Sequence, residues 1–234
     1  MNIIITGAGN GIGFELVKAL AKHKLNHIVA VSRNGAALKE LVAECVRMYP
    51  EAKVTPYEFD LIQFDFYPFI VQRLETIIQK CDILINNAGK LVNKSFLRFD
   101  PAEFDATFNV NVRAPFFFIQ SLLPMMNKGS HIVNIGSMGG IQGSMKFPGL
   151  AAYSASKGAL AVLTEVLAEE LAEQEIKVNC LALGAVQTEM FVKAFPGAKA
   201  LQNPAQIAHF IADFAVNGHK YFNGKIIPVS LSVP

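Results

Sequence analysis

Charge is what this sequence has least of. Lysine, arginine, aspartate and glutamate make up 17% of its 234 residues, against about 25% in an average globular chain. Hydrophobic residues reach 52%. So little solvated surface predicts subunit contact, because no uncharged run has the composition of a membrane span of about 20 residues. The uncharged stretch 129–145 is glycine-rich and contains His131, which excludes it as such a span. The formal net charge is +2, with no cluster of Lys and Arg, and this excludes a nucleic-acid backbone as the expected partner.

Cysteine is scarce as well. Cys45, Cys81 and Cys180 are odd in number, far apart and set among apolar residues, which predicts buried, reduced thiols in the cytoplasm instead of disulfides or a zinc site. Histidine offers no ligand set either: Leu25-Asn26 forms a turn between His23 and His27, so no metal site is expected. Met1-Asn2 runs straight into Ile3-Ile4-Ile5 without the basic start and long apolar segment of a signal peptide, and the mature chain is expected to begin at Met1. Repeats, linkers and low-complexity tracts are missing too. The length fits one α/β domain over 1–234, with a sizeable core.

What is present is alternation. Short apolar, β-branched runs recur at Ile3–Thr6, His27–Ser32, Lys53–Phe59, Asp82–Asn86, His131–Ile135, Lys177–Leu183 and Lys225–Val229. Helix-period segments lie at Phe14–His23, Ala36–Met48, Tyr67–Lys80 and Leu150–Glu175. Asp100-Pro101-Ala102-Glu103 and Asn203-Pro204-Ala205-Gln206 carry N-cap, first-turn proline and capping-box residue in order, and start two more helices. The first continues to about Asn127, bent at Pro115 and apolar nearly all round. This order predicts an α/β protein: a doubly wound parallel sheet of about seven strands with helices on both faces.

Chemistry-bearing residues gather at the strand ends. Ile3–Thr6 leads at once into Gly7-Ala8-Gly9-Asn10-Gly11-Ile12-Gly13 and then a helix. Strand, glycine turn and helix make a dinucleotide phosphate site, where bare backbone and the helix N-terminus meet the pyrophosphate. The spacing departs from G-x-G-x-x-G, since Ile12 stands three after Gly9. About 20 residues on, where an acid would hold a ribose 2′-hydroxyl, stand Ser32 and Arg33, and their hydroxyl and guanidinium suit the 2′-phosphate of NADP(H) over NAD(H). Asn87-Ala88-Gly89 ends the fourth strand and Ser137 follows the fifth. Tyr153 and Lys157 share one helical face, and a cation beside a phenol favours the phenolate, moving a pKa of about 10 toward the working range.

Thr6–Gly13, Asn86-Asn87-Ala88-Gly89, Asn111, Ser137, Tyr153-Ser-Ala-Ser-Lys157 and Gly184 with Thr188 together resemble the short-chain dehydrogenase/reductase family over nearly the whole chain. The resemblance implies a Rossmann-like sheet and a nicotinamide dinucleotide held by Gly7, Gly9, Asn10, Gly11, Ile12, Ser32 and Arg33. By the same resemblance, Asp60 and Leu61 lie near the adenine, Asn87, Ala88 and Gly89 along the cofactor, and Gly184, Val186 and Thr188 near the nicotinamide. Hydride transfer to a carbonyl makes an alkoxide, which needs an aimed donor, Ser137, and an acid, Tyr153. The family pattern adds Lys157 on the nicotinamide ribose and Asn111 holding a relay water. The expected function is NADP(H)-dependent interconversion of a carbonyl compound and its alcohol. The alternatives are a catalytically weak NADP(H)-binding sensor of the same fold and a sugar-nucleotide epimerase or dehydratase, which the glycine spacing and the lack of a sizeable C-terminal substrate domain disfavour.

Several features depart from the family pattern. The interval from Ser137 to Tyr153 is a few residues longer than usual, so Met138–Ala152 must bulge, and Ser144 becomes a second candidate donor. Leu183 stands where a proline is frequent, and the tail Ser230-Leu-Ser-Val-Pro234 replaces a glycine pair, which would alter a subunit interface. Glu189–Asn203 is short, predicting a small lid over an open pocket rimmed by Leu91, Met138, Met145, Phe147, Phe191 and Phe195, suited to a hydrophobic small-molecule substrate. The apolar 101–127 and 150–173 helices predict a homodimer or homotetramer.

Overall fold

The structure, a computed structural model, describes residues 1–231. Its strands are β1 (Asn2–Thr6), β2 (His27–Ser32), β3 (Lys53–Glu58), β4 (Ile83–Asn86), β5 (His131–Ser137), β6 (Lys177–Leu183) and β7 (Ile226–Val229). They form one parallel sheet in the order β3-β2-β1-β4-β5-β6-β7. The helices are α1 (Gly11–Ala21), α2 (Gly35–Met48), α3 (Tyr67–Glu75), α4 (Pro101–Phe108), α5 (Ala114–Leu122), α6 (Ala151–Glu170), α7 (Glu189–Ala194) and α8 (Pro204–Asn217).

Side chains alternate across a strand, so an unbroken apolar run feeds both faces of the sheet. Ile3, Ile5, Ile28, Ile85, Val133 and Leu181 pack under Leu16 and Leu20 of α1, Leu38 and Leu41 of α2 and Ile211 of α8. Ile4, Val29, Leu84, Ile132 and Val178 pack on the other face against Leu74 of α3, Phe118 and Leu122 of α5 and Ala168 of α6. Burying each such large side chain contributes about 1.5–3 kcal/mol, and together the two layers fix where the strand ends lie. Pro56, which has no N–H to donate, sits on the edge strand β3, the position where a sheet tolerates proline. From β1 the chain first builds outward to β3, then crosses to β4 on the opposite side, which makes the β1/β4 boundary the switch point where such sheets open a crevice.

Three expected helices end or break differently. α3 stops at Glu75, before Lys80, because the chain turns there: Thr76 Oγ1 donates to the Arg73 carbonyl at 2.7 Å, and the turn buries Ile78. α6 ends at Glu170, and its last expected turn closes with Glu175 in the left-handed region at φ 54°. The expected helix to Asn127 is interrupted by a π turn at Asn109–Arg113, one turn before Pro115. Proline cannot donate to the carbonyl of Asn111 as a continuous helix would require, and the wider turn accommodates the loss. The sequence missed α7, a short helix within the expected lid, where Thr188 Oγ1 accepts from the Phe191 N–H at 3.1 Å. Of the unusual tail, Ser232–Pro234 lie outside the described residues.

Candidate active site

The strand-end residues of β1 to β6 singled out in the sequence all converge on the carboxyl edge of the sheet. The glycine turn is locked to the turn after β4. Thr6 Oγ1 accepts from the N–H groups of Asn87 and Ala88, both at 3.1 Å, and Asn87 Nδ2 donates to the carbonyls of Thr6 at 3.0 Å and Gly7 at 3.2 Å. The irregular glycine spacing follows from contact: a Cβ on Gly13 would lie 2.2 Å from the Gly7 carbonyl oxygen, and one on Gly9 would lie 2.5 Å from Ser32 Oγ. α1 begins here with no side-chain cap and no acidic residue in its first turn, so its free N–H groups and positive dipole end remain for an anion.

Ser32 lies against this turn, and Arg33 beside it is exposed. Ser32 Oγ also accepts from the Asn34 N–H at 3.2 Å. At the end of β3, Asp60 Oδ1 accepts from the Ile62 N–H and the Leu61 carbonyl accepts from the Tyr67 hydroxyl at 2.6 Å, which fixes the Asp60-Leu61 turn. Glu58 was not anticipated from sequence: its carboxylate packs onto Gly35, the first residue of α2, where a Cβ would sit 2.1 Å from Oε2.

The acid–base group assembles beyond β4. The Ser137 side chain lies in reach of the Tyr153 phenol; burial raises the phenol's pKa, and Ser137 opposes that rise. The Lys157 ammonium lies 6.0 Å from the centre of the Tyr153 ring and donates to the Ile135 carbonyl at 2.7 Å. Burial lowers its pKa to about 8. A Cβ on Gly89 would lie 3.7 Å from Nζ, so the ammonium faces the Asn87–Gly89 turn. Asn111 is fully buried, and its side chain is committed: Oδ1 accepts from the Lys90 N–H at 2.7 Å, while Nδ2 donates to the Lys90 carbonyl and to Ser156 Oγ, each at 2.9 Å. Its amide therefore clamps the π turn to the strand-end loop and to α6.

The longer Met138–Ala152 loop does not separate Ser137 from Tyr153. It opens with a 3-10 turn at Met138–Gly140, and Ser144 spends its hydroxyl inside the loop on the carbonyls of Met138 and Ile141. On the far side, Gly184 donates to the Val229 carbonyl at 2.9 Å, Val186 is buried, and Thr188 reaches back to Gly11, 3.4 Å from a Cβ built there. Asn93, another residue the sequence did not reveal, joins the cover: Nδ2 donates to the Ala194 carbonyl of α7 at 2.8 Å, and Lys94 N–H donates to the Gly149 carbonyl at 3.0 Å. Of the expected rim residues, Phe191 and Phe195 pack on each other with ring centres 5.3 Å apart, whereas Met145 and Phe147 are exposed.

Comparison with known proteins identifies the family. The family model for short chain dehydrogenases matches residues 1–199. The chain is 30% identical to the 3-oxoacyl-(acyl-carrier-protein) reductase FabG of Thermotoga maritima, covering 97% of this chain and 94% of that protein. It is 35% identical to carbonyl reductase (NADPH) 2 of Sus scrofa, covering 81% of this chain and 73% of that protein. Among solved structures, a 3-ketoacyl-(acyl-carrier-protein) reductase from Brucella melitensis complexed with NADH superposes with a TM-score of 0.83 at 27% identity, covering 97% of this chain and 96% of that one. The chain belongs to the short-chain dehydrogenase/reductase family and is an NAD(P)-dependent oxidoreductase.

Proposed function

We propose that this protein interconverts a carbonyl compound and its alcohol with NADP(H), using Tyr153 as general acid and base. The observation that carries the reading is the Tyr153 phenol with the Ser137 side chain in reach of it and the Lys157 ammonium beside its ring. A carbonyl oxygen placed between the two hydroxyls receives one fixed donor and one transferable proton, which is what a developing alkoxide requires. Lys157 stabilises the phenolate that Tyr153 leaves behind, and it keeps two N–H donors free after its bond to Ile135. Asn111 holds the π turn in place, and any relay water would sit on backbone there, because the amide is already used.

The cofactor fits the residues present. The uncapped start of α1, the bare glycine turn and the exposed Arg33 form a cradle for pyrophosphate and 2′-phosphate. When bound, the nicotinamide supplies or takes the hydride. NAD(H) is the second reading, favoured by Glu58, whose carboxylate at the start of α2 could accept from a ribose 2′-hydroxyl. Titration with NADPH and NADH decides between them. A carbonyl panel assayed with the wild type and Tyr153→Phe then tests the chemistry; turnover untouched by that substitution would sink the reading. The NADPH named for the Sus scrofa relative and its carbonyl substrates support it.

The same reading includes a homo-oligomer and a reducing compartment such as the cytoplasm. Phe104 and Phe116 on α4 and α5 and Val162 and Val166 on α6 are exposed, more apolar surface than a solvated face needs. All three cysteines are free and buried. Light scattering across a dilution series tests the oligomer, and a monomer throughout would refute it.

A further inference from the structure

Tyr153 and Lys157 occupy the first two turns of α6, so their placement depends on where that helix sits along β5. Two consecutive residues of β5 hold it. The Ile135 carbonyl accepts from Lys157 Nζ at 2.7 Å, and Asn134 Nδ2 donates to Thr164 Oγ1 at 2.9 Å. Thr164 lies two turns beyond Lys157 on the same helical face. Its hydroxyl donates in turn to the Leu160 carbonyl at 2.9 Å. Behind Asn134, Asn86 Nδ2 donates to Asn134 Oδ1 at 2.9 Å. The sheet register aligns Asn86, Asn134 and Cys180 across β4, β5 and β6.

This polar row lies in an otherwise hydrophobic layer. Asn134 and Thr164 are fully buried, Asn86 is nearly so, and Asn86 Oδ1 has no partner among the described residues. Leaving a buried polar atom unpaired costs about 1–3 kcal/mol, so apolar side chains of the same size would make a more stable layer. What they would not provide is position. Apolar surfaces slide past one another at small cost, whereas a donor and acceptor must stay near 2.9 Å and aligned.

We propose that Asn134 and Thr164 are positioning residues: their hydrogen bond fixes α6 axially on β5 so that Lys157, resting on the Ile135 carbonyl, presents its remaining donors to the cofactor cleft. The proposal rests on the reading of Lys157 given under Proposed function. Thr164→Val keeps the side-chain shape and removes the hydroxyl, and Thr164→Ser restores it. With Thr164→Val we expect a melting temperature lowered by a few degrees, because Asn134 Nδ2 loses its acceptor, together with a several-fold rise in the NADPH dissociation constant and a kcat lowered about tenfold, short of the hundredfold that a misplacement of about 1 Å can cost. The alkaline limb of the pH profile, which Lys157 sets, moves with it, and Thr164→Ser returns all three to wild type. Should Thr164→Val fail to fold, Asn134→Asp, which exchanges the donor for an acceptor at constant shape, is expected to weaken NADPH binding likewise. A variant that melts earlier yet keeps the wild-type NADPH affinity, kcat and pH limb overturns the proposal. Wild-type protein that binds no NADPH refutes the reading of the site instead, so the two failures are distinguishable.

Discussion

The Ser137 side chain acts on the Tyr153 phenol across the whole of the intervening segment 138–152. The extra length is absorbed locally. Ile141 N–H donates to the Met138 carbonyl at 3.0 Å, Leu150 N–H donates to that of Phe147 at 3.3 Å, and Gly149 is tied to Lys94. The loop folds on itself, so its extra length is taken up between the two residues.

Ser137→Ala is therefore expected to lower kcat by about a hundredfold, the usual effect of losing one aimed donor, while leaving NADPH affinity unchanged. Ser144→Ala is the contrast: its hydroxyl is used within the loop, and kcat should stay within a few-fold of wild type. Steady-state kinetics on one carbonyl substrate compares the two, and the reverse ranking would make Ser144 the donor.

Lys157 is buried with its pKa lowered to about 8. Its ammonium is lost as the pH rises through that value, so NADPH affinity and carbonyl turnover should both fall above about pH 8. Stability runs the other way. The unfolded chain binds the extra proton between about pH 8 and the ordinary lysine value of 10.5, so the cofactor-free fold gains stability as the pH climbs through that window. At pH 7 the burial penalty is about 3 kcal/mol, partly offset by about 1 kcal/mol from the Ile135 bond. Lys157→Met should accordingly melt a few degrees higher at pH 7 while losing NADPH binding, a pairing that calorimetry and titration would check.

His131 is fully buried; its Nδ1 lies 2.9 Å from the Ala215 carbonyl and its Nε2 3.0 Å from Asn179 Nδ2. Burial depresses its pKa from 6.5 to about 4. The unfolded state therefore takes up a proton first as the pH falls, and stability present above about pH 6.5 is lost progressively down to about pH 4, worth about 3 kcal/mol in total. His27 and His219, also lowered by burial, add the same sign. Urea midpoints measured across this range should fall with pH, and His131→Gln should flatten the slope while lowering the midpoint at pH 7.

Arg33 stands exposed beside the glycine turn and Glu58 lies across from it on Gly35. Removing a charged hydrogen-bond partner costs about 1.5–3 kcal/mol, so Arg33→Ala should weaken NADPH binding by about ten- to a hundredfold with little effect on NADH. Glu58→Gln should shift preference further toward NADPH. Fluorescence titration of both cofactors reads the outcome, and an Arg33→Ala protein that loses both equally would assign the guanidinium to the shared pyrophosphate.

The sheet was legible because burial on both faces writes a strand as a continuous apolar run, and β2 and β6 lie where those runs lie. The capped helices were legible for a local reason: Asp100 with Glu103 and Asn203 with Gln206 form their capping boxes as read. The break at 109–113 was less so. Pro115 marks that a helix cannot run straight, but whether the chain bends, kinks or widens into a π turn depends on what Asn111 clasps, and Lys90 and Ser156 come from other segments. Glu58, Asn93, Asn134 and Thr164 carried no motif, since each matters only through a residue far along the chain.

By itself the sequence determined the alternation of elements, the glycine turn and the presence of a phenol and an ammonium on one helical face, because period, caps and spacing act over a few residues. The tertiary structure alone decided which hydroxyl lies in reach of Tyr153, how far burial moves Lys157 and what holds α6 in register with β5. Those depend on distances between strands that only the packed sheet sets, and on desolvation, which a chain acquires only when it folds.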